Sequence, residues 1–465
     1  MPEFVRSVVL PFPADEVYRW HLRPGAFERL IPPWEDLKPS SRLEGIREGS
    51  LVRFTLRKGP VRITWEAHHR DFIEGRQFID EQARGPFPSW IHTHGFRESG
   101  EGACEMEDRI AYELPFGPVG RLLGGAMLRR DLARLFAFRH RRTRQDLARH
   151  VRFAAQGRQR IALTGSSGLV GGSLRAYLSG AGHEVLPVVR RGAGPGEIAW
   201  SPDARTLDLG AMESLDGVVH LAGENISAGR WTAETKARIR TSRVEGTRLL
   251  CEGLARLKRP PRVLVSASAI GWYGDRGDSP VDETAPSGKG FLPEVCAGWE
   301  GATESAREAG IRVVNLRIGV VLAAKGGALA RMLTPFNLGM GGPVGGGRQF
   351  MSWIALDDLL GIIEAALWDP GLSGPVNATS PHPVTQAQFA RTLGTVLRRP
   401  AVAPLPAGVV RLAFGEMGQT LLLEGARVLP AWLVASGFPF LTPELEGALR
   451  AELGRQDGRV AGSIP

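Results

Sequence analysis

Apolar and polar side chains alternate with a period of two through much of the first 150 residues of the chain. This pattern is typical of antiparallel strands with one buried face, and it predicts strands at residues 3–10, 50–57, 62–69, 77–84, 90–97 and 103–114. Short helices are predicted at residues 13–20 and 25–30, and a long helix from residue 117 to about residue 150. Residues 1–150 are therefore predicted to form an α+β domain in which a long helix closes an antiparallel sheet.

The pattern changes after about residue 160, where compact apolar segments alternate with helical segments. Strands are predicted at residues 161–163, 184–189, 218–223, 262–266 and 312–317, and helices at residues 169–180, 234–257 and 294–309. Such alternation predicts a parallel sheet covered on both faces, which binds its ligands at the carboxyl ends of the strands. The predicted fold class is thus α/β, a doubly wound Rossmann sheet over residues 159–400, preceded by the α+β domain.

Three glycines at a spacing of three residues connect the first predicted strand of this region to its helix. Gly165 permits a tight turn, Gly168 lets a pyrophosphate approach the helix-start N–H groups, and Gly171 allows close packing of helix on strand. We expect the whole loop to bind a dinucleotide, and its other residues are Ser166, Ser167, Leu169 and Val170.

The residues after the second predicted strand select between the two nicotinamide cofactors. An acidic side chain there would accept a hydrogen bond from the ribose 2′-hydroxyl of NAD, whereas a guanidinium accommodates the 2′-phosphate of NADP. This chain has Arg190 and Arg191 at that position. The sequence therefore predicts NADP(H) as the cofactor.

Composition limits the partners of the protein. The net charge of +9 comes with only six lysines among 58 basic residues, which indicates a general preference for arginine rather than one basic tail, so we expect no nucleic-acid partner. The three cysteines are far apart, which argues against disulfides and a structural zinc site. No leader or run of about eighteen apolar residues is evident, and we expect a cytoplasmic protein without stable membrane insertion.

Two histidines of the first domain are candidate metal ligands. His92 and His94 point to the same face of their predicted strand, which would suit two ligands of one ion. No cysteine or acidic residue stands at a supporting spacing in the sequence. We therefore expect no metal site.

Several motifs resemble the extended short-chain dehydrogenase/reductase superfamily, and specifically its atypical, epimerase-like branch with a small C-terminal helical domain. They are residues 164–171, His-Leu-Ala-Gly at 220–223, Ser-Ala-Ser-Ala-Ile-Gly-Trp-Tyr-Gly at 266–274 and Ser-Trp-Ile-Ala-Leu-Asp-Asp at 352–358, with 229–231, 242–247 and 406–449 matching the atypical branch. The resemblance implies that Leu221, Ala222 and Gly223 line the adenine side of the cofactor. It also implies a helical domain at residues 401–453, followed by a flexible tail at 454–465.

The order of elements in residues 1–150, with the opening segment 7–18, resembles the START-like, helix-grip family that includes polyketide cyclases. Members of that family typically enclose an apolar ligand between the sheet and the long helix. The resemblance implies such a hydrophobic ligand here, and a packed scaffold without a ligand is the alternative.

The chain departs from the superfamily in its catalytic residues. None of the four tyrosines is followed by a lysine four residues later, so the usual Tyr-x-x-x-Lys proton relay is absent. Cys296 and Glu300 have the same spacing in the corresponding helix. Cys296 could serve as a neutral proton donor, Glu300 as a base or supporting partner, and Ser268 as a hydrogen-bonding group for substrate; the alternative is that Cys296 and Glu300 are structural.

These features predict an NADP(H)-dependent oxidoreductase or epimerase-like enzyme that acts on a small-molecule substrate, which could be apolar. The first alternative is a non-catalytic NADPH-binding sensor whose N-terminal domain binds a ligand. The second is a lipid carrier in which the Rossmann domain is mainly scaffold.

Overall fold

The computed structural model describes residues 1–40 and 45–455. The described chain divides into two compact units, which we call the N-terminal unit (residues 1–158 with 175–183) and the C-terminal unit (residues 159–174 with 184–455). The domain limits of 1–150, 159–400 and 401–453 stay predictions. The predicted tail lies outside the described residues from residue 456 onward.

The N-terminal unit is an antiparallel sheet with one long helix. Its elements are β1 (Glu3–Leu10), α1 (Ala14–Leu22), α2 (Ala26–Leu30), β2 (Asp36–Pro39), β3 (Leu51–Lys58), β4 (Val61–Ile73), β5 (Gln77–Arg84), β6 (Ser89–Glu98), β7 (Cys104–Glu113) and α3 (Gly117–Arg152). The sheet order is β1-β7-β6-β5-β4-β3-β2. This confirms the predicted helix-grip architecture. The prediction missed only β2, whose four residues are too few for a clear alternation.

The core of this unit lies between the inner face of the sheet and its helices. Leu132 and Phe136 of α3 pack against Ile110 and Tyr112 of β7. In a second cluster, Trp20 of α1 is buried together with Phe78 of β5, Phe96 of β6 and Met106 of β7. Period-two burial along β7 shows why the sequence alternates: every second side chain enters this core.

The C-terminal unit is a parallel α/β sheet with helices on both faces. Its first half contains β8 (Arg160–Thr164), α4 (Leu169–Gly180), β9 (Glu184–Val189), β10 (Ile198–Ser201), β11 (Thr206–Leu207), α5 (Leu209–Met212), β12 (Gly217–His220), α6 (Ala233–Ala255), β13 (Val263–Ala269), β14 (Pro280–Val281), α7 (Phe291–Gly301) and α8 (Glu304–Glu308). Of α4, residues 169–174 belong to this unit and residues 175–180 to the N-terminal unit. Its second half contains β15 (Arg312–Ile318), β16 (Val320–Leu322), α9 (Gly327–Asn337), β17 (Phe350–Met351), β18 (Trp353–Ala355), α10 (Leu356–Trp368), β19 (Gly374–Ala378), β20 (Val384–Thr385), α11 (Gln386–Leu397), α12 (Ala407–Gly418), β21 (Arg427–Val428), α13 (Ala431–Ala435) and α14 (Leu445–Glu452).

The main sheet has the order β11-β10-β9-β8-β12-β13-β15-β19, and only the β10–β11 pair is antiparallel. The chain runs from β8 outward to β9 and β10 and then returns to the other side of β8 with β12. The carboxyl ends of β8 and β12 therefore flank the point where strand order reverses, which is where open α/β sheets bind ligands. The predicted doubly wound sheet is confirmed.

One predicted helix is wrong. Residues 294–309 were expected to form a single helix, but α7 ends at Gly301 and a separate short helix, α8, begins at Glu304. Between the two helices, the buried hydroxyl of Thr303 donates a hydrogen bond to the backbone oxygen of Glu300 at 2.7 Å, and such side-chain bonds compete with the regular helical pattern. Among the described residues, no helix is both long enough and apolar enough to cross a lipid bilayer.

Candidate cofactor and active site

At two of the three glycines in the loop from β8 to α4, the neighbouring backbone leaves no space for a side chain. Gly165 has φ +69°, and a Cβ there would lie 2.9 Å from the carbonyl of Leu221. A Cβ on Gly171 would lie only 2.2 Å from the backbone oxygen of Gly165. At Gly168 the nearest atom to such a Cβ is the oxygen of Gly165 at 3.3 Å, and the residue is exposed. The loop is therefore held closely against α4 and the end of β12, with the exposed backbone of Gly168 at its outer side.

A hydrogen-bonded chain of three side chains fastens this loop to β12. The hydroxyl oxygen of Thr164 accepts hydrogen bonds from the backbone N–H groups of Leu221 at 3.0 Å and Ala222 at 3.1 Å. Its proton is therefore free for Nδ1 of His220 at 2.8 Å, and Nε2–H of His220 donates to the hydroxyl of Thr247 at 2.9 Å. Burial lowers the pKa of His220 to about 4, so the ring is neutral.

His220 is thus part of the scaffold behind the cofactor loop. Leu221 and Ala222, expected at the adenine side, lie directly beside Gly165, and Gly223 is exposed next to them. Ser166 is buried, whereas Ser167 is exposed and Leu169 and Val170 are half-buried at the start of α4. The predicted binding residues from both strands therefore meet at one edge of the sheet.

Arg190 and Arg191 follow β9 directly, and both are exposed. Because β9 is the neighbour of β8, they lie at the carboxyl edge of the sheet that also carries the glycine loop. Two guanidinium groups at this edge can receive a phosphate with paired hydrogen bonds.

A buried ion pair organises the predicted active-site residues. Ser268 at the end of β13 donates a hydrogen bond from Oγ to Oε1 of Glu300 at 2.7 Å. Arg317 of β15 holds the same carboxylate with two hydrogen bonds of 2.9 Å, from Nε to Oε1 and from Nη2 to Oε2. The side chain of Arg317 is 3% exposed and that of Glu300 is 11% exposed, so the pair is shielded from solvent. The side chain of Glu300 is therefore held in one position by three hydrogen bonds.

Sequence analysis missed Arg317 and its neighbours. Nη1 of Arg317 donates to the hydroxyl of Tyr273 at 3.0 Å, and that hydroxyl donates to Oδ1 of Asn377 at 2.7 Å. The guanidinium carbon of Arg317 also lies 3.9 Å from the ring centroid of Trp272. The only sequence signal was the charged residue within an apolar strand segment, whose register places it opposite Ser268.

Cys296 of α7 is buried, and its thiol donates to the backbone oxygen of Ala269 at 3.7 Å. Burial, reinforced by the charge of Glu300, raises the pKa of Cys296 to about 12. The thiol is therefore protonated at neutral pH and is a poor nucleophile.

A cleft lies where α6, α7 and α12 contribute its lining. Arg243 of α6 donates from Nη2 to the backbone oxygen of Glu224 at 3.0 Å, and its guanidinium lies 5.0 Å from the ring centroid of Trp299. One and two turns earlier, α6 contributes basic residues to a cleft with a volume of about 470 Å³. The lining residues are Lys236, Ala237, Arg240, Phe291, Glu294 and Glu416.

Three family models match consecutive parts of the chain. Residues 161–375 match the NAD dependent epimerase/dehydratase family, residues 405–452 match a domain of unknown function (DUF1731), and residues 10–138 match the family "polyketide cyclase / dehydrase and lipid transport". Both resemblances expected from the sequence are therefore confirmed.

Individual relatives match the chain over two different extents. Two of them cover about three fifths of it, and a third covers nearly all of it. An epimerase family protein of Mycobacterium bovis is 43% identical over 281 residues, which is 60% of this chain and 93% of the relative. The crystal structure of human epimerase family protein SDR39U1 with NADPH is 37% identical, with a TM-score of 0.58 over 63% of this chain and 99% of that one. The crystal structure of the nucleoside-diphosphate sugar epimerase of Corynebacterium glutamicum is 33% identical, with a TM-score of 0.80 over 97% of this chain and 90% of that one.

Proposed function

Because the chain belongs to the NAD dependent epimerase/dehydratase family, we propose that it is an NADP(H)-dependent oxidoreductase or epimerase-like enzyme of the atypical short-chain branch. The observation that carries this proposal is the loop from Gly165 to Gly171, where an added Cβ would collide with backbone at both end glycines. Such a cradle fits a pyrophosphate, which needs close approach to backbone N–H groups at a helix start. The human relative bound to NADPH supports the choice of cofactor.

The cofactor would be held by two groups of residues. The glycine loop with Leu221 and Ala222 would receive the pyrophosphate and the adenine side, and Arg190 and Arg191 would receive the 2′-phosphate. When bound, the nicotinamide would supply hydride transfer to or from a carbon of the substrate. The small-molecule substrate would bind at the carboxyl end of β13, beside Ser268.

The test of cofactor choice is removal of the two guanidinium groups. We expect Arg190→Ala with Arg191→Ala to weaken NADPH binding by about 10- to 100-fold, because one or two charge-assisted hydrogen bonds are lost, while NADH binding stays within about threefold. A matched control removes two other exposed arginines, Arg62→Ala with Arg391→Ala, and should leave both affinities unchanged. Equal weakening of NADPH and NADH by the first pair would contradict this assignment.

The remaining active-site residues would bind and orient the substrate rather than act as the usual relay. The hydroxyl of Ser268 donates its hydrogen bond to Glu300, so the hydroxyl oxygen can still accept a hydrogen bond from a substrate hydroxyl. Glu300, held by Arg317, is a positioning residue that fixes this orientation. The thiol of Cys296, which donates to the backbone oxygen of Ala269, would support the same strand end rather than contact substrate.

Turnover tests this chemistry. Purified protein with NADPH would be mixed with a panel of aldehydes, ketones and quinones, and the absorbance of the reduced nicotinamide followed. We expect Ser268→Ala to lower kcat by about 100-fold or more. Ser266→Ala is the matched control, because this hydroxyl lies on the same strand, is buried, and donates its hydrogen bond to the backbone oxygen of Ala267 rather than to Glu300. Equal rates for the two variants would exclude Ser268 from the reaction.

A non-catalytic NADPH sensor is the second candidate. The complete engagement of Glu300 by Arg317 and the protonated thiol of Cys296 favour it, because neither group is available as a base. Tight binding of NADPH without consumption by any member of the carbonyl panel would support the sensor over the enzyme.

A further inference from the structure

The inner face of the N-terminal sheet carries a cluster of histidines and carboxylates. Cross-strand register places Asp80 of β5 beside His69 of β4 and His92 of β6, and places His94 of β6 beside Asp108 of β7. The long helix α3 adds His140, whose Nε2 is 2.7 Å from Oδ2 of Asp108. The histidines and Asp108 are each less than 9% exposed, so the cluster lies inside the unit.

Three of these residues present donor atoms to a common point. Oδ2 of Asp80 lies 3.1 Å from Nε2 of His94 and 3.7 Å from Nδ1 of His92. One donor atom from each of Asp80, His92 and His94 lies within 4.8 Å of the other two. Ligands of a tetrahedral zinc ion, bonded at about 2.0–2.1 Å, are separated by roughly 3.4 Å, so the two separations from Asp80 bracket the value that an ion would require.

Asp108 lies behind both histidines and orients them. Nε2–H of His92 donates to Oδ1 of Asp108 at 2.9 Å, which leaves Nδ1 of His92 with a lone pair on the side of Asp80. Nδ1 of His94 lies 3.1 Å from the same Oδ1 atom. A carboxylate behind each ligating imidazole is the usual support of a protein metal site.

Two buried polar atoms of the cluster lack a well-aligned hydrogen bond within the described residues. Nδ1 of His94 is buried without a well-aligned hydrogen bond, and the same is true of Oδ1 of Asp80, which lies 2.8 Å from Nε2 of His69.

We propose that Asp80, His92 and His94 bind one divalent transition-metal ion of the zinc class inside the N-terminal unit, with Asp108 as the orienting carboxylate. Two imidazoles and one carboxylate suit such ions better than Mg²⁺, which prefers oxygen ligands. Three protein ligands leave a fourth position open, the arrangement of catalytic rather than structural zinc sites. The side chain of Asp80 is 26% exposed, whereas His92 and His94 are buried, so Asp80 is the ligand nearest to solvent.

The expected absence of a metal rested on the lack of acidic residues near His92 and His94 in the sequence. The structure supplies those residues from β5 and β7, 12 and more positions away along the chain. This polar site occupies part of the interior that the helix-grip resemblance assigns to an apolar ligand. It is independent of the cofactor site, because all of its residues belong to the N-terminal unit.

The test uses the full chain after treatment with a chelator. Calorimetric titration with ZnCl₂ should show one tight site per chain, and CoCl₂ should produce the visible absorption of tetrahedral Co²⁺, whereas MgCl₂ should not bind. We expect Asp80→Asn and His94→Gln each to weaken Zn²⁺ by more than about 100-fold, and Asp108→Asn by about 10- to 100-fold, since it acts through the histidines.

The matched control is His68→Gln, because His68 is the neighbour of His69 on β4 and points to the other face of the sheet. It should leave the Zn²⁺ affinity unchanged, and circular dichroism of each variant identifies any that fails to fold. Absence of a tight Zn²⁺ site and of the Co²⁺ spectrum in the wild-type chain overturns the proposal without any variant. Equal effects of His68→Gln and His94→Gln, or Mg²⁺ binding as tight as Zn²⁺ binding, would overturn it as well.

Discussion

Two adjacent glycines at the start of α4 make a sharp test of the cofactor loop. A Cβ on Gly171 would lie 2.2 Å from the backbone oxygen of Gly165, against 3.4 Å for the closest ordinary contact, so helix and loop must separate by about 1.2 Å. A Cβ on Gly172 would lie 3.6 Å from the backbone oxygen of Ser166, which is an ordinary contact. Alanine should therefore be excluded at one position and accepted at the next.

The two substitutions should have opposite effects on stability and different effects on binding. Gly171→Ala should cost about 1–3 kcal/mol of unfolding free energy through overpacking. A displacement of about 1 Å in a loop that positions a ligand should weaken NADPH by about 10- to 100-fold. Gly172→Ala should raise stability by about 0.5–1 kcal/mol, because alanine loses less backbone entropy than glycine in a helix.

Urea unfolding followed by circular dichroism measures the free energy of unfolding, and calorimetric titration of the full chain with NADPH measures the binding affinity. The Gly172→Ala variant should bind NADPH within about twofold of the wild type, as expected for a substitution that moves no neighbour. Wild-type affinity in Gly171→Ala, or the same loss in both variants, would refute the reasoning that the loop is packed to backbone contact.

Two other predictions concern buried groups of the C-terminal unit. The pKa of His220 falls from 6.5 to about 4 on folding, so the unfolded chain takes up the proton first and stability is lost as pH falls from 6.5 towards 4. His220→Gln should remove about 2 kcal/mol of the decrease in urea-unfolding free energy between roughly pH 7 and pH 5, and an unchanged pH dependence would contradict a neutral buried ring. Arg317→Met should cost about 3–5 kcal/mol, because it leaves the Glu300 carboxylate buried without its partner. Arg317→Met with Glu300→Gln should recover most of that loss. Equal stability of the single and double variants would show that the unpaired Glu300 carboxylate does not cause the loss of unfolding free energy.

The cofactor loop was predictable because its information is local. Glycine spacing, the short strand before it and the helix after it all lie within residues 160–180, and the predicted helix at 169–180 agrees with α4. Arg190 and Arg191 were found because a fixed distance along the chain separates the first strand of a Rossmann unit from the end of the second. Period-two alternation likewise located six of the seven strands of the N-terminal sheet.

The features that sequence reasoning missed depend on strand register. Arg317 lies opposite Ser268 only because β13 and β15 pair in one particular alignment, and Asp80 and Asp108 meet His92 and His94 in the same way. A slip by one residue would move each side chain to the other face of its sheet, and nothing within a single strand specifies that alignment. The break between α7 and α8 falls beside Thr303, whose side-chain hydrogen bond to Glu300 is a local feature that the spacing of apolar residues does not reveal.

The central claim is that this chain binds a phosphorylated dinucleotide at the carboxyl ends of β8, β9 and β12. Calorimetric titration of the wild-type chain with NADPH and, separately, with NADH tests it most directly. One site per chain, with NADPH bound at least about tenfold more tightly, is the expected result, since a single charge-assisted hydrogen bond to the 2′-phosphate is sufficient for that difference. Tighter binding of NADH, or no heat with either nucleotide, would contradict the account.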